Sequence, residues 1–227
     1  MKLGGIAVAV ALAAAGVAQA AVYTDSQNEL FDNSFAHLDI ASVNVTHDAT
    51  SITFEIVTRG DVSAPTWGKY ALAINTPGGV NDAGNGWGRP MNWNGQGIDF
   101  WVGSWADDGG DNFGGELRQM DGLGGNTLLA ATYAGPGISG SSLVTQVITL
   151  DRALLGLTGN DTFTFDVMTT GGGGGDAGVD HLSRSDMSMT NWGDTSTSGQ
   201  FLSYTIPSPS SLALVGVAGL IIGRRRR

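Results

Sequence analysis

Apolar and polar residues alternate at strand spacing down most of this chain, and that alternation leaves little room for anything but β-sheet. Ser51 to Thr58 sets Ile52, Phe54 and Ile56 against Thr53 and Glu55, the pattern of a half-buried strand. Leu38-Asp39-Ile40 leads into Val43-Asn44-Val45, and His47 to Thr50 reads as the hairpin turn between the two runs. Lys69 to Asn75 alternates Tyr70, Leu72 and Ile74. Ile98 to Trp105, Glu116 to Met120, Thr127 to Tyr133, Ser142 to Leu150, Thr162 to Thr169 and Phe201 to Ile206 continue the series. The sum is about nine or ten short strands. Helix signals are confined to Asp151 to Gly156, where Asp151 is a cap and Gly156 a stop, enough for one turn. Glycine, at 36 of 227 residues, points to many turns and long loops. The expected fold is all-β, a single jelly-roll-type β-sandwich over residues 21–206, flanked by an N-terminal signal helix and a short C-terminal apolar helix.

The two ends carry a different kind of information. Lys2 supplies a small positive charge, an apolar stretch runs to Val17, and Ala18-Gln19-Ala20 places small residues where a signal peptidase reads them. This is the pattern of a secretory signal over residues 1–20, with cleavage after Ala20, and it implies signal peptidase and the export machinery as partners. At the other end, Leu212 to Gly223 is uncharged and is followed at once by Arg224, Arg225, Arg226 and Arg227. As a helix this run covers roughly 18 Å, short of a ~30 Å hydrocarbon core. The arginines resist translocation and would leave the body outside.

Pro207-Ser208-Pro209, the brief apolar run and the terminal arginines together resemble the PEP-CTERM sorting signal, with serine where that motif has glutamate. The resemblance covers residues 206–227. It implies recognition by an exosortase-type enzyme, cleavage near Pro207 and Pro209, and transfer to the exterior. A permanent membrane anchor through the C-terminal helix is the competing reading. Either way the expected location is the outer surface, cell envelope or extracellular matrix.

Charge and residue inventory narrow what the body can do. Five of the 11 basic residues lie at the two ends, so the body carries six against 21 acidic residues, a net charge of −15. Such a surface repels nucleic acid and suits cations or neutral ligands. No cysteine is present, which excludes thiol nucleophiles and cysteine-held metals and leaves stability to the core. His37, His47 and His181 lack metalloprotease spacing, no serine sits in a GxSxG frame, and the expected protein is not an enzyme.

Trp87, Trp93 and Trp192 lie among glycine, asparagine and aspartate. A tryptophan in a polar loop is either a plug over a sandwich end or a plate that stacks on a sugar ring. Trp101 alternates within a strand and is expected in the core. Asp107, Asp108 and Asp111 crowd one glycine-rich loop, and Asp176 and Asp180 follow Gly171 to Gly175, expected as a flexible surface loop. Both groups are candidate calcium ligands, because calcium takes oxygen ligands from flexible loops, though neither has EF-hand spacing.

The stretches Leu38 to Val45, Trp67 to Tyr70, Ile98 to Trp101 and Gly178 to Trp192 also resemble the sandwich of family 9 carbohydrate-binding modules. That resemblance implies sugar binding by paired aromatics, with Trp87, Trp93 and Trp192 as the positions. The expected function is therefore a non-catalytic envelope or matrix protein whose sandwich binds a polysaccharide. The alternatives are a purely structural surface module and a secreted glycan hydrolase.

Overall fold

The computed structural model describes residues 20–63, 67–105, 114–132 and 144–207. The signal helix up to Gln19 and the C-terminal helix from Ser208 lie outside the described residues, as do Asp107, Asp108 and Asp111. Among the described residues no helix is long and apolar enough to cross a membrane.

Thirteen strands follow one another in the described residues. They are β1 (Ala20–Thr24), β2 (Ile40–His47), β3 (Ser51–Thr58), β4 (Lys69–Asn75), β5 (Met91–Asn92), β6 (Phe100–Trp105), β7 (Gly114–Met120), β8 (Asn126–Thr132), β9 (Thr145–Asp151), β10 (Thr162–Thr170), β11 (Gly178–His181), β12 (Ser196–Thr197) and β13 (Leu202–Thr205). One sheet runs β1-β2-β3-β9. The larger runs β11-β10-β4-β6-β7-β8, with β13 also paired to β10. Both are antiparallel, and a parallel two-residue pair joins β12 to β5. The chain is thus all-β and sandwich-like. The helical turn expected at Asp151 to Gly156 is instead a tight turn. The Asp151 carboxylate accepts the Ala153 N–H at 2.8 Å, and Gly156 takes a φ of 70°, which ends any helical continuation.

Registers explain why these sequences pack as they do. On the larger sheet Leu117, Val102, Leu72 and Val167 form one row across four strands, and Phe100, Ile74 and Phe165 form the next. Both rows face Val45, Phe54, Ile56 and Ile148 of the smaller sheet in a continuous core. The third row of that same face is polar: Ser104, Tyr70, Thr169 and Asp180. Its groups are satisfied from outside the sheet. Gln146 donates to Ser104, Tyr70 donates to the His37 carbonyl, and Thr169 donates to the Leu38 carbonyl. The connection between β1 and β2, with its 3-10 turn at Ala36–Leu38, therefore closes this end of the sandwich.

The opposite face of the larger sheet is not open to solvent. Ala71, paired with Gly103, and Ala73, paired with Trp101, make a shallow patch of small residues there, and the loop 77–98 lies over it. Met91, Trp93 and Ile98 from that loop pack on Trp101, Met120 and Met168, with Phe201 joining them. The glycine-rich loop is a third layer, and it builds a second core.

Candidate metal centre and aromatic patch

The tryptophans divide by layer. Trp93 is 2% exposed and its indole N–H donates to the Gly84 carbonyl at 2.8 Å, so it has no face to offer a sugar. Trp87 is half-buried. One edge meets Trp101, the Arg89 guanidinium sits 5.0 Å over the ring, and the indole N–H donates to Glu116 at 2.6 Å. The Gly103 Cα lies against its ring, so a Cβ there would overlap the indole. Trp87 and Trp93 do not form a paired stacking platform, which corrects the expectation from the sequence. Both plug the third layer, because the patch of small side chains beneath them leaves space that only large rings fill. Trp101 is fully buried, as expected.

Trp192 is placed differently. It is half-buried beside Phe31, Phe35 and Trp67, with ring centroids 5.2, 5.3 and 6.0 Å away, over the small core of Leu30, Leu38, Val179 and Met189. Four aromatic rings that reach solvent thus gather at the closed end of the sandwich. Asn191 and Asp194 are tied to each other and to Thr190 in the adjacent turn. The cavity lined by Thr76, Asp99, Leu155 and Asp161 and the one lined by Leu117, Ala130, Leu150 and Leu154 contain no tryptophan.

A chain of hydrogen bonds that sequence spacing could not reveal runs through Asp166, His181 and Ser196. His181 Nδ1 lies 2.7 Å from the Asp166 carboxylate, and Nε2 lies 3.0 Å from Ser196 Oγ. The residue types and order are those of an acyl-transfer triad. All three side chains are completely buried beneath the loop layer, and Ser196 Oγ also accepts the Gly178 N–H at 3.0 Å. A nucleophile that no substrate can reach does no chemistry; this network pins β10, β11 and β12 together.

The carboxylates separate too. Asp176 accepts the Gly173 N–H at 2.7 Å and so closes the turn of the glycine run, while Gly172 to Gly175 are exposed as expected. It does not join Asp180 in a ligand pair. Asp180, 3% exposed, points inward from β11, where its two oxygens accept the Ile40 and His181 N–H groups at 2.6 and 2.8 Å. Beside it lie Asp25 and Glu29 from the β1–β2 connection. One carboxylate oxygen from each of the three falls within 4.8 Å of the others. The sequence reading included Asp180 but missed Asp25 and Glu29, which lie some 150 positions away in no recognisable spacing.

This cluster is electrostatically costly as it stands. Asp25 Oδ2 and both Glu29 carboxylate oxygens are shut off from solvent with no hydrogen-bond partner. Burial pushes Asp25 up to about 7; the Ser26 N–H opposes it, and the Glu29, Asp166 and Asp39 carboxylates add to it. Burial raises Glu29 as well, with Asp39 adding to it and the Glu29 N–H and Arg59 opposing. Asp180 is raised well above the usual carboxylate range, first by burial and then by Asp25. Asp39 stands next to the group with its side chain wholly buried. Its Oδ2 pairs with Arg59 at 2.6 Å, and its Oδ1 has no partner.

Comparison of the chain with protein families, with characterised proteins and with solved structures returns no match to any of them.

Proposed function

We propose that the protein is an exported, non-catalytic surface or matrix module, sorted by an exosortase-type signal, whose jelly-roll-type sandwich binds polysaccharide through Trp192 and Trp67. The observation that carries the glycan reading is the aromatic patch. It is a group of half-buried rings at one end of a rigid sandwich, beside the polar turn of Thr190, Asn191 and Asp194. The burial of the Ser196 network supports the non-catalytic part. Export and sorting rest on the two ends. What supports them is that the hydrogen-bonded frame of the described residues closes between the two ends. The first ladder begins at Ala20 opposite Thr46, and β13 is followed by Ile206, whose N–H reaches the Asp161 carbonyl at 2.8 Å. Among the described residues, cleavage after Ala20 and near Pro207 would cost the one rung that pairs Ala20 with Thr46.

Polysaccharide pull-down with the exported protein tests the glycan reading. Trp192→Ala is expected to abolish retention, while Trp87→Ala retains it. Retention by Trp192→Ala equal to the unaltered chain, or no retention on any insoluble glycan, would leave the structural-module reading in its place. Mass spectrometry of surface material tests sorting: the expected mass lacks both residues 1–20 and the four arginines, and an intact Arg227 end means a permanent anchor.

A further inference from the structure

A group of acidic side chains is unremarkable at a surface, where water screens it. Here the charged ends are out of water. Three carboxylate oxygens, Asp25 Oδ2 and Glu29 Oε1 and Oε2, have neither solvent nor a donor, and the wholly buried Asp39 adds a fourth at Oδ1. Buried polar atoms almost always find partners. An unpaired buried carboxylate is among the most expensive groups a fold can contain. Among the described residues, Arg59 is the one cation that reaches this neighbourhood by an ion pair, and it is committed to Asp39 and to the Asn33 carbonyl.

We propose that Asp25, Glu29 and Asp180 bind one calcium ion, which fastens the β1–β2 connection to edge strand β11. The chemistry of the donors selects the ion. All are hard carboxylate oxygens, with no thiol in the chain and with His181 turned to the other face of the sheet toward Asp166. Two oxygens on opposite sides of calcium, at about 2.4 Å each, are about 4.8 Å apart, and the three ligand atoms lie within that span. Magnesium holds its oxygens at about 2.0–2.1 Å and gives up its waters reluctantly, so it suits a half-buried, irregular site less well. Glu29 can chelate with both oxygens. Asp180 keeps its two backbone N–H bonds and contributes a remaining lone pair, and water completes the shell.

The consequence is a fold that tightens where calcium is abundant. The three ligands belong to the two sheets: Asp25 and Glu29 leave β1 of the smaller one, and Asp180 belongs to the larger. A cation between them joins the sheets at the end where the interior row is polar rather than apolar. Without it, three carboxylates oppose that closure. Extracellular calcium modules bind with dissociation constants of about 10⁻⁴–10⁻³ M, so the site would fill outside the cell and stay empty at lower calcium.

The test is calorimetric titration of the chelator-stripped exported protein with calcium chloride at pH 7.5, together with thermal unfolding. The site predicts one ion per chain and a melting temperature higher by about 5–10 °C at a hundredfold excess over the dissociation constant. Glu29→Gln keeps the shape and removes one charge. It is expected to melt no lower than the stripped parent, to show no saturable heat and to lose the thermal shift. Asp176→Asn is expected to keep both. No stoichiometric heat and no shift in the parent overturns the proposal, and so does a Glu29→Gln chain that binds as the parent does. Neither result depends on glycan retention or on processing of the ends, so failure here is separable from failure of the function proposed above.

Discussion

At the scale of single residues, burial decides what a side chain can do, and His37 shows how far. The residue is 6% exposed, its Nε2 has no partner, and Trp67 meets its ring edge-on at 4.7 Å. Burial lowers its pKa from 6.5 to about 4. The unfolded chain takes up this proton near pH 6.5 and the folded chain only near 4, so stability is lost as pH falls between those values. The full effect approaches about 3 kcal/mol, at about 1.4 kcal/mol per pH unit. The raised carboxylates of Asp25, Glu29 and Asp180 act in the opposite sense, losing stability as pH rises above the ordinary carboxylate range. The measurement is therefore a difference: urea midpoints of the parent and of His37→Leu between pH 7 and pH 4. The stability of the parent relative to His37→Leu is expected to fall steadily on acidification. A difference between the two that does not change with pH would mean that His37 protonates in the folded state without cost. Nothing in the sequence marked His37 as buried, because its environment comes from the Phe35 and Trp67 rings that the fold brings to it.

At the scale of elements, the strands that were legible are those with a long enough alternation. β3, β4 and β10 each carry three apolar residues at every second position, Ile52, Phe54 and Ile56, Tyr70, Leu72 and Ile74, and Phe163, Phe165 and Val167; these strands, and β2, β6, β7, β8, β9 and β13 with shorter alternations, appear within a few residues of where the sequence placed them. β1, with its run of Ala20-Ala21-Val22, and the short β5, β11 and β12 carry too few positions for a period to show. The role of the loop 77–98 was illegible for another reason. Whether Trp87 and Trp93 are exposed depends on a patch formed by Ala71 and Ala73 of β4 and Gly103 of β6, and single-strand periodicity cannot see across strands. Gly103 tests that reading. A methyl group there would run into the Trp87 ring, which the backbone of β6 cannot yield to without disturbing its pairing with β4 and β7. Gly103→Ala is expected to destabilise the protein by about 1–3 kcal/mol. It should also shift tryptophan emission to the red as Trp87 leaves Glu116. An unchanged emission maximum and midpoint would show that the third layer is loosely held.

At the scale of the whole molecule, the dominant property is charge: six basic against 21 acidic residues between the two ends. A net −15 on a body of this size repels itself, and any salt relieves part of that repulsion by screening. Screening and site binding both raise the melting temperature, yet they have different signatures. Screening depends on ionic strength alone, grows gradually and acts on the surface as a whole. It should therefore be nearly the same in the parent and in Glu29→Gln. Occupation of one site saturates and vanishes with the ligand. Sodium chloride raised from about 0.05 to 0.5 M, which shortens the Debye length from roughly 14 to 4 Å, is expected to stabilise both chains by similar small amounts. Calcium added on top of high sodium chloride should then stabilise only the parent. If high sodium chloride removes the calcium effect entirely, the ion acts as a counterion to the diffuse negative surface. The buried carboxylates must then share protons at neutral pH instead, and the raised pKa of about 7 brings Asp25 to half-protonation there in the stripped protein.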